Sequence, residues 1–145
     1  MALSKTLYLI RGIPGSGKST LAARLAPRHN VAADDFPGLY VNGGYQPELQ
    51  KASHEWCLNR ATEMMSMAAR AIAVHNTFCN PDYMHDYLLS ASVNRYAVQI
   101  IHAEAVILPN LEQAKSIHNV PQDVIERMRD SFKSFSSWLL DSIER

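Results

Sequence analysis

The chain has 145 residues, of which 47% are hydrophobic and 19% charged; that balance excludes a disordered or fibrous chain, and the length fits one compact domain over residues 1–145. Fourteen basic residues offset fourteen acidic ones for a formal charge of zero, which excludes an indiscriminately basic nucleic-acid coat but leaves room for a local basic groove. The two cysteines, Cys57 and Cys79, lack metal-ligand spacing, so neither a zinc site nor a disulfide scaffold is expected and a reducing compartment fits best.

The opening apolar run is too short for a signal peptide or a membrane span, so a soluble, intracellular, cytoplasmic protein with no membrane partner is expected. Thr6–Arg11 (TLYLIR) is a short β-rich run that ends at Gly12 and reads as a buried strand. Thr20–Leu25 continues a helix that should stop before Pro27, and His29–Ala33 reads as a second strand with Asp34-Asp35 just past its end. Pro37–Pro47 carries Gly, Pro and the pair Asn42-Gly43, the signature of a turn-rich excursion or hairpin. A long helix is expected from Glu48 to about Arg70, with Leu49, Ala52, Trp56, Met64 and Met67 on its inward face. Ala71–Val74 is a third strand, Pro81 opens a helix to about Ser92, and Tyr96–His102 is a fourth strand. A short helix over Pro109–Ile117 and a final one from Pro121 complete the chain, the last carrying an apolar stripe that includes Val124, Met128 and Phe132. Strands alternating with helices predict an α/β fold: a doubly wound parallel sheet of four or five strands with helices on both faces.

Gly12-Ile13-Pro14-Gly15-Ser16-Gly17-Lys18-Ser19 matches the phosphate-loop pattern G-x-x-x-x-G-K-[ST] without a gap. Glycines at these places let successive N–H groups curl toward phosphate oxygens, and the helix that follows adds its positive end. Lys18 is expected to reach the β- and γ-phosphates, Ser19 to offer its hydroxyl to Mg²⁺, and Thr20 to add a contact behind it. Average composition gives the pattern by chance in roughly 0.5% of chains this long, and here it also lies between a predicted strand and a predicted helix. ATP or GTP with Mg²⁺ is the expected cofactor set.

Ligands of open α/β sheets bind at the carboxyl ends of the strands, where Asp34-Asp35 is predicted to lie. A phosphoryl transferase needs a carboxylate there to take the proton of the attacking hydroxyl; the alternative is that the pair caps the next turn. The preceding phosphate loop favours the first reading. His75, at the end of a strand, reads equally as a site residue or a locally bonded histidine. Tyr40 and Tyr45 read as loop packing or as stacking surfaces for a base.

RGIPGSGKST, ADDF, a long helix carrying HEW, a strand ending in HNT, and IHNVP together resemble the P-loop polynucleotide 5′-hydroxyl kinases. The pattern is most similar to the small kinase-like domain of NEDD4-binding-protein-type ATPases and their bacteriophage relatives, over about residues 6–135. The resemblance implies that Asp34 is the general base and shares in holding the metal, with Asp35 its acidic neighbour. It implies that Asn76 and Thr77 end a D-N-T strand motif, that His54 and Trp56 pack beneath the acceptor, and that Lys115 falls at or near the lid arginine. His118 matches a histidine of the NEDD4-binding-protein-like branch. A phage relative also implies a viral origin and a host cytoplasm.

Three residues depart from that family. His75 replaces an aspartate and removes a negative charge beside the metal. Pro37 replaces an arginine that steadies the acceptor, and Lys115 offers a point charge in place of a planar fork. The sequence therefore predicts a Mg²⁺- and ATP-dependent kinase with Lys18, Asp34 and Lys115 as its catalytic set and a single-stranded nucleic-acid end as acceptor. A small-metabolite kinase is the second reading, favoured by the neutral charge, and a nucleotide-binding regulatory protein with little turnover is the third.

Overall fold

The computed structural model describes residues 4–103. Four parallel strands form the sheet: β1 (Thr6–Arg11), β2 (Asn30–Val31), β5 (Ala71–His75) and β6 (Ala97–His102), in the order β2-β5-β1-β6. Strands β3 (Tyr40–Val41) and β4 (Gly44–Tyr45) form a separate antiparallel hairpin. The predicted α/β fold with a parallel sheet is what the chain adopts, with four strands among the described residues.

The inner pair of strands carries the core by strict alternation. Leu7 and Leu9 on β1, with Ile72 and Val74 on β5, face helices α2 (Gln50–Ser66) and α3 (His85–Val93) and pack with Cys57, Ala61, Tyr87 and Ala91. Ile10 and Ala73 face the opposite way, onto Ala22 and Ala26 of helix α1 (Lys18–Leu25) and the residue after it. Small residues on both sides of that second contact let α1 lie close to the sheet. Each fully buried Leu or Ile contributes about 1.5–3 kcal/mol of transfer free energy, so these two layers fix the position of the strand ends.

Two expectations needed correction. The second strand is two residues long, not the five of His29–Ala33, because β2 is the outermost strand with β5 as its neighbour and Ala33–Asp35 turns away as a single 3₁₀ turn. On α2 the buried residues are Ser53, Cys57, Ala61, Met64 and Met65, whereas Met67 is 65% exposed. Ser53 tolerates burial because its hydroxyl donates to the Gln50 carbonyl at 2.7 Å. Met67 lies beyond the last turn, where Ala68 at φ 60° turns the chain. The hairpin matches its signal: Asn42 and Gly43 have φ of 51° and 79°, the pair of positive values that a tight two-residue turn requires. The helices expected after Pro109 and Pro121 lie outside the described residues.

Candidate active site

All four strands run the same way, so their carboxyl ends share one edge, and the phosphate loop leaves β1 there. Gly15 and Gly17 have φ of 82° and 90°, conformations that side-chain-bearing residues rarely hold. Gly17 caps α1, and the place its Cβ would occupy is open space. Gly12 is different: a Cβ there would lie 2.5 Å from both the Ala103 carbonyl oxygen and the Ser16 hydroxyl. The Ser16 Oγ is buried and has no hydrogen-bond partner among the described residues, so the loop holds a polar atom ready for a ligand.

Lys18 turns back over this loop and donates from Nζ to the Gly12 and Ile13 carbonyls at 2.8 and 2.9 Å. Burial pulls its pKa down to about 8, against the opposing pull of the Asp34 charge. Ser19 Oγ lies 3.5 Å from His75 Nδ1. The His75 ring is buried with Nε2 unpartnered; burial lowers its pKa, and Asp35 pulls the other way. A neutral imidazole next to a hydroxyl and a glycine-rich cradle with an orphaned Oγ suits a phosphate chain, with Ser19 the hydroxyl available to its metal.

The two aspartates divide the roles that the sequence left open. Asp35 caps its own turn, accepting from the Ala32 N–H at 3.0 Å through Oδ2. Asp34 stays exposed and accepts the Tyr40 hydroxyl at 3.1 Å through Oδ1. Its charge acts on Lys18, His54 and His75, so Asp34 stands at the centre of the cleft. Tyr40 and Tyr45 pack on each other, ring centroids 5.7 Å apart. Burial, with Asp34 adding to it, raises the pKa of both phenols.

Asn76 ties the turn down. Its Oδ1 accepts from the Ala33 N–H at 2.8 Å, and its Nδ2 points at Cys57 Sγ, 3.6 Å away. Thr77 contributes its carbonyl to the Gly12 N–H at 3.1 Å, and the Asn76 N–H donates to Ile10 at 3.2 Å. His54 does not pack beneath the cleft as expected: it is exposed, its ring near-parallel to Tyr83 at 6.4 Å. Partial burial lowers its pKa, Asp34 opposing. Trp56 meets Phe36 edge-on at 5.8 Å. Ile13, Pro14 and Thr20 lie along the loop and first helical turn as the motif requires, while Lys115 and His118 lie outside the described residues.

Two participants went unread. Tyr40 acts as a hydrogen-bond donor to Asp34, and Arg11 is 1% exposed, donating to the Phe78 carbonyl at 2.9 and 3.2 Å. The available signal for Arg11 was a charged residue closing an apolar strand just before the loop. Among the described residues no group of three His, Cys, Asp or Glu could hold a metal, and no helix is long and apolar enough to cross a membrane.

A family model described as an AAA domain matches residues 7–135. The chain belongs to the AAA domain family. This AAA domain is 31% identical over 139 residues to human NEDD4-binding protein 2, covering 90% of this chain and 8% of that protein. It spans, then, only a small part of that relative's length. Among solved structures, a chain of the Pnkp1/Rnl/Hen1 complex is similar with a TM-score of 0.57 at 17% identity, covering 75% of this chain and 38% of that one. A gluconokinase from Sinorhizobium meliloti 1021 gives 0.54 at 11% identity, covering 92% and 78%. The fold is that of the P-loop kinases.

Proposed function

We propose that this AAA domain is an ATP-dependent phosphotransferase that moves the γ-phosphate to the 5′-hydroxyl of a polynucleotide. The observation that carries the reading is the pairing of Lys18 and Asp34 across one cleft, at the ends of neighbouring βα units. Phosphate chemistry needs a cation where charge gathers and a carboxylate where a proton leaves.

The loop from Gly12 to Thr20 would bind the triphosphate, Lys18 exchanging the Gly12 and Ile13 carbonyls for phosphate oxygens. Ser19 would hold Mg²⁺, which when bound neutralises charge on the β- and γ-oxygens. Asp34 would take the proton of the acceptor hydroxyl as its oxygen bonds to the γ-phosphorus and the bond to the bridging oxygen of ADP breaks. His75 would accept the Ser19 hydroxyl proton at Nδ1, the part a carboxylate plays in the family it resembles, without the negative charge. Lys115 is the remaining cation proposed for the transferring group. A small-metabolite acceptor is the second reading, favoured by a chain with no net positive charge to meet a phosphate backbone.

The test is transfer of labelled γ-phosphate from Mg–ATP to 5′-hydroxyl DNA and RNA strands, with Asp34→Asn beside the wild type. Transfer should fall by about 10²–10⁴ in the variant, with ATP affinity within about threefold. A wild type that binds ATP and labels neither strand would remove the polynucleotide acceptor.

A further inference from the structure

Because β2 is an edge strand of two residues, the sheet leaves a gap between its border and α2. That gap is a cavity of about 310 Å³ whose walls are Arg28, Asn30, Asp35, Trp56 and Arg60, at the lower end of the range for ligand sites. Trp56 and Arg60 lie four residues apart on one face of α2. Arg28 and Arg60 are both exposed. Arg28 has no hydrogen bond or ion pair with any described residue, and Arg60 has the surface contact to Glu63 at 3.4 Å, a pair worth at most a few tenths of a kcal/mol and easily exchanged. Two guanidinium forks therefore border a cavity that also exposes part of an indole. Forked donors suit phosphate oxygens and a flat aromatic face suits a base. The shared chemistry is a base joined to a phosphate.

The position of the cavity selects between a free nucleotide and a strand. Asp34 and Asp35 are consecutive residues of one 3₁₀ turn, so their Cα atoms are about 3.8 Å apart. Asp34 serves the cleft that holds Lys18, and Asp35 lines the cavity on the far side of the turn. Phe36, the next residue, meets Trp56, so the turn also sets the cavity wall. A chain molecule with its end at Asp34 needs to travel only across this turn to reach the arginines. On a neutral chain this is the local basic groove that composition permits.

We infer that this cavity holds one nucleotide of a single-stranded acceptor, just behind its 5′ end, with the base against Trp56 and a backbone phosphate between Arg28 and Arg60. The inference rests on the polynucleotide reading above for its orientation. Asp35 and Asn30 are the polar groups left to meet the base or sugar. Asp35 also limits the site to about one net positive charge, matched to one phosphodiester.

The experiment is binding, measured apart from phosphate transfer. The full chain is titrated, without ATP, into a 3′-labelled ten-nucleotide single strand with a free 5′-hydroxyl, followed by fluorescence anisotropy. Arg28→Glu/Arg60→Glu should weaken binding at least tenfold and lower the slope of log affinity against log salt by about 1, since each phosphate contact contributes about 0.7 on a single strand. Affinity for a fluorescent ATP analogue and the melting temperature should stay at wild-type values. Arg28→Lys/Arg60→Lys should restore part of the loss, because charge returns without the fork. A nucleoside 3′-monophosphate, followed by Trp56 emission in a Trp138→Phe background, should bind more weakly than the strand. Strand binding that is indifferent to the glutamate pair would overturn the cavity as its seat while leaving the polynucleotide reading intact. Absence of strand binding, or a monophosphate that binds more tightly than the strand, would also overturn it. Arginine-dependent strand binding without any transfer would uphold the cavity and refute the catalytic reading.

Discussion

Raising the pH should release ATP from this protein, and Lys18 sets the range. Burial brings its pKa down to about 8 in the ligand-free loop, whereas a triphosphate laid against Nζ holds the proton on. Binding above that pH must therefore take up a proton. The charged fraction falls from about 0.9 at pH 7 to about 0.1 at pH 9, so affinity should fall about tenfold, or about 1.4 kcal/mol. The second phosphate pKa, about 6, is already passed at both values, so the ligand contributes little. Titration of a fluorescent ATP analogue from pH 7 to pH 9.5 measures the slope, and calorimetry in buffers of different ionisation enthalpy at pH 8 should find about half a proton taken up per ATP. Lys18→Arg, whose guanidinium keeps its charge across this range, should flatten the profile. An affinity constant within twofold from pH 7 to pH 9 would refute the reasoning. Stability without ligand should move the opposite way. The folded pKa lies below the unfolded one, so the unfolded chain binds more protons between about pH 8 and 10.5, and Lys18 makes stability rise with pH across that window.

Two further substitutions test the frame around the loop. Gly12→Ala drives a methyl group to 2.5 Å from the Ala103 carbonyl oxygen, and a backbone oxygen has little freedom to retreat; thermal denaturation should show a loss of about 1–3 kcal/mol, together with weakened ATP binding. Asn76→Ala strips the partner from the buried Ala33 N–H, costing about 1–3 kcal/mol in urea denaturation. By loosening the turn under Asp34, it should lower the rate of transfer more than the affinity for ATP.

The sheet and its loop were legible because the signals there are local. The TLYLIR run, the glycine spacing and the Asn42-Gly43 pair each determine their conformation within a few residues. What escaped depends on partners distant in sequence. Asn76 meets Ala33 across 43 residues, and no pattern near either announces the bond. The inward stripe of α2 was misread in the same way. Ser53 looks polar until its hydroxyl is returned to Gln50, and Met67 looks like core until the helix is seen to end at Ser66. The paired aspartates were recognised as a unit, but their division into a cap and a free carboxylate needed the direction of the turn.

The bonds at the head of the sheet also determine what can be exchanged between relatives. Ile10, Gly12, Arg11, Asn76, Thr77, Phe78 and Ala33 are joined by contacts of 2.8 to 3.2 Å, linking three segments far apart in the chain. The offset between the phosphate loop and the Asp34 turn is thus written in the 76–78 segment, which belongs to neither. A loop transplanted from another kinase would arrive with the wrong spacing to the carboxylate unless that segment travelled with it. For grafting, the transferable module is this three-part bracket, and the contiguous glycine motif is only one arm of it.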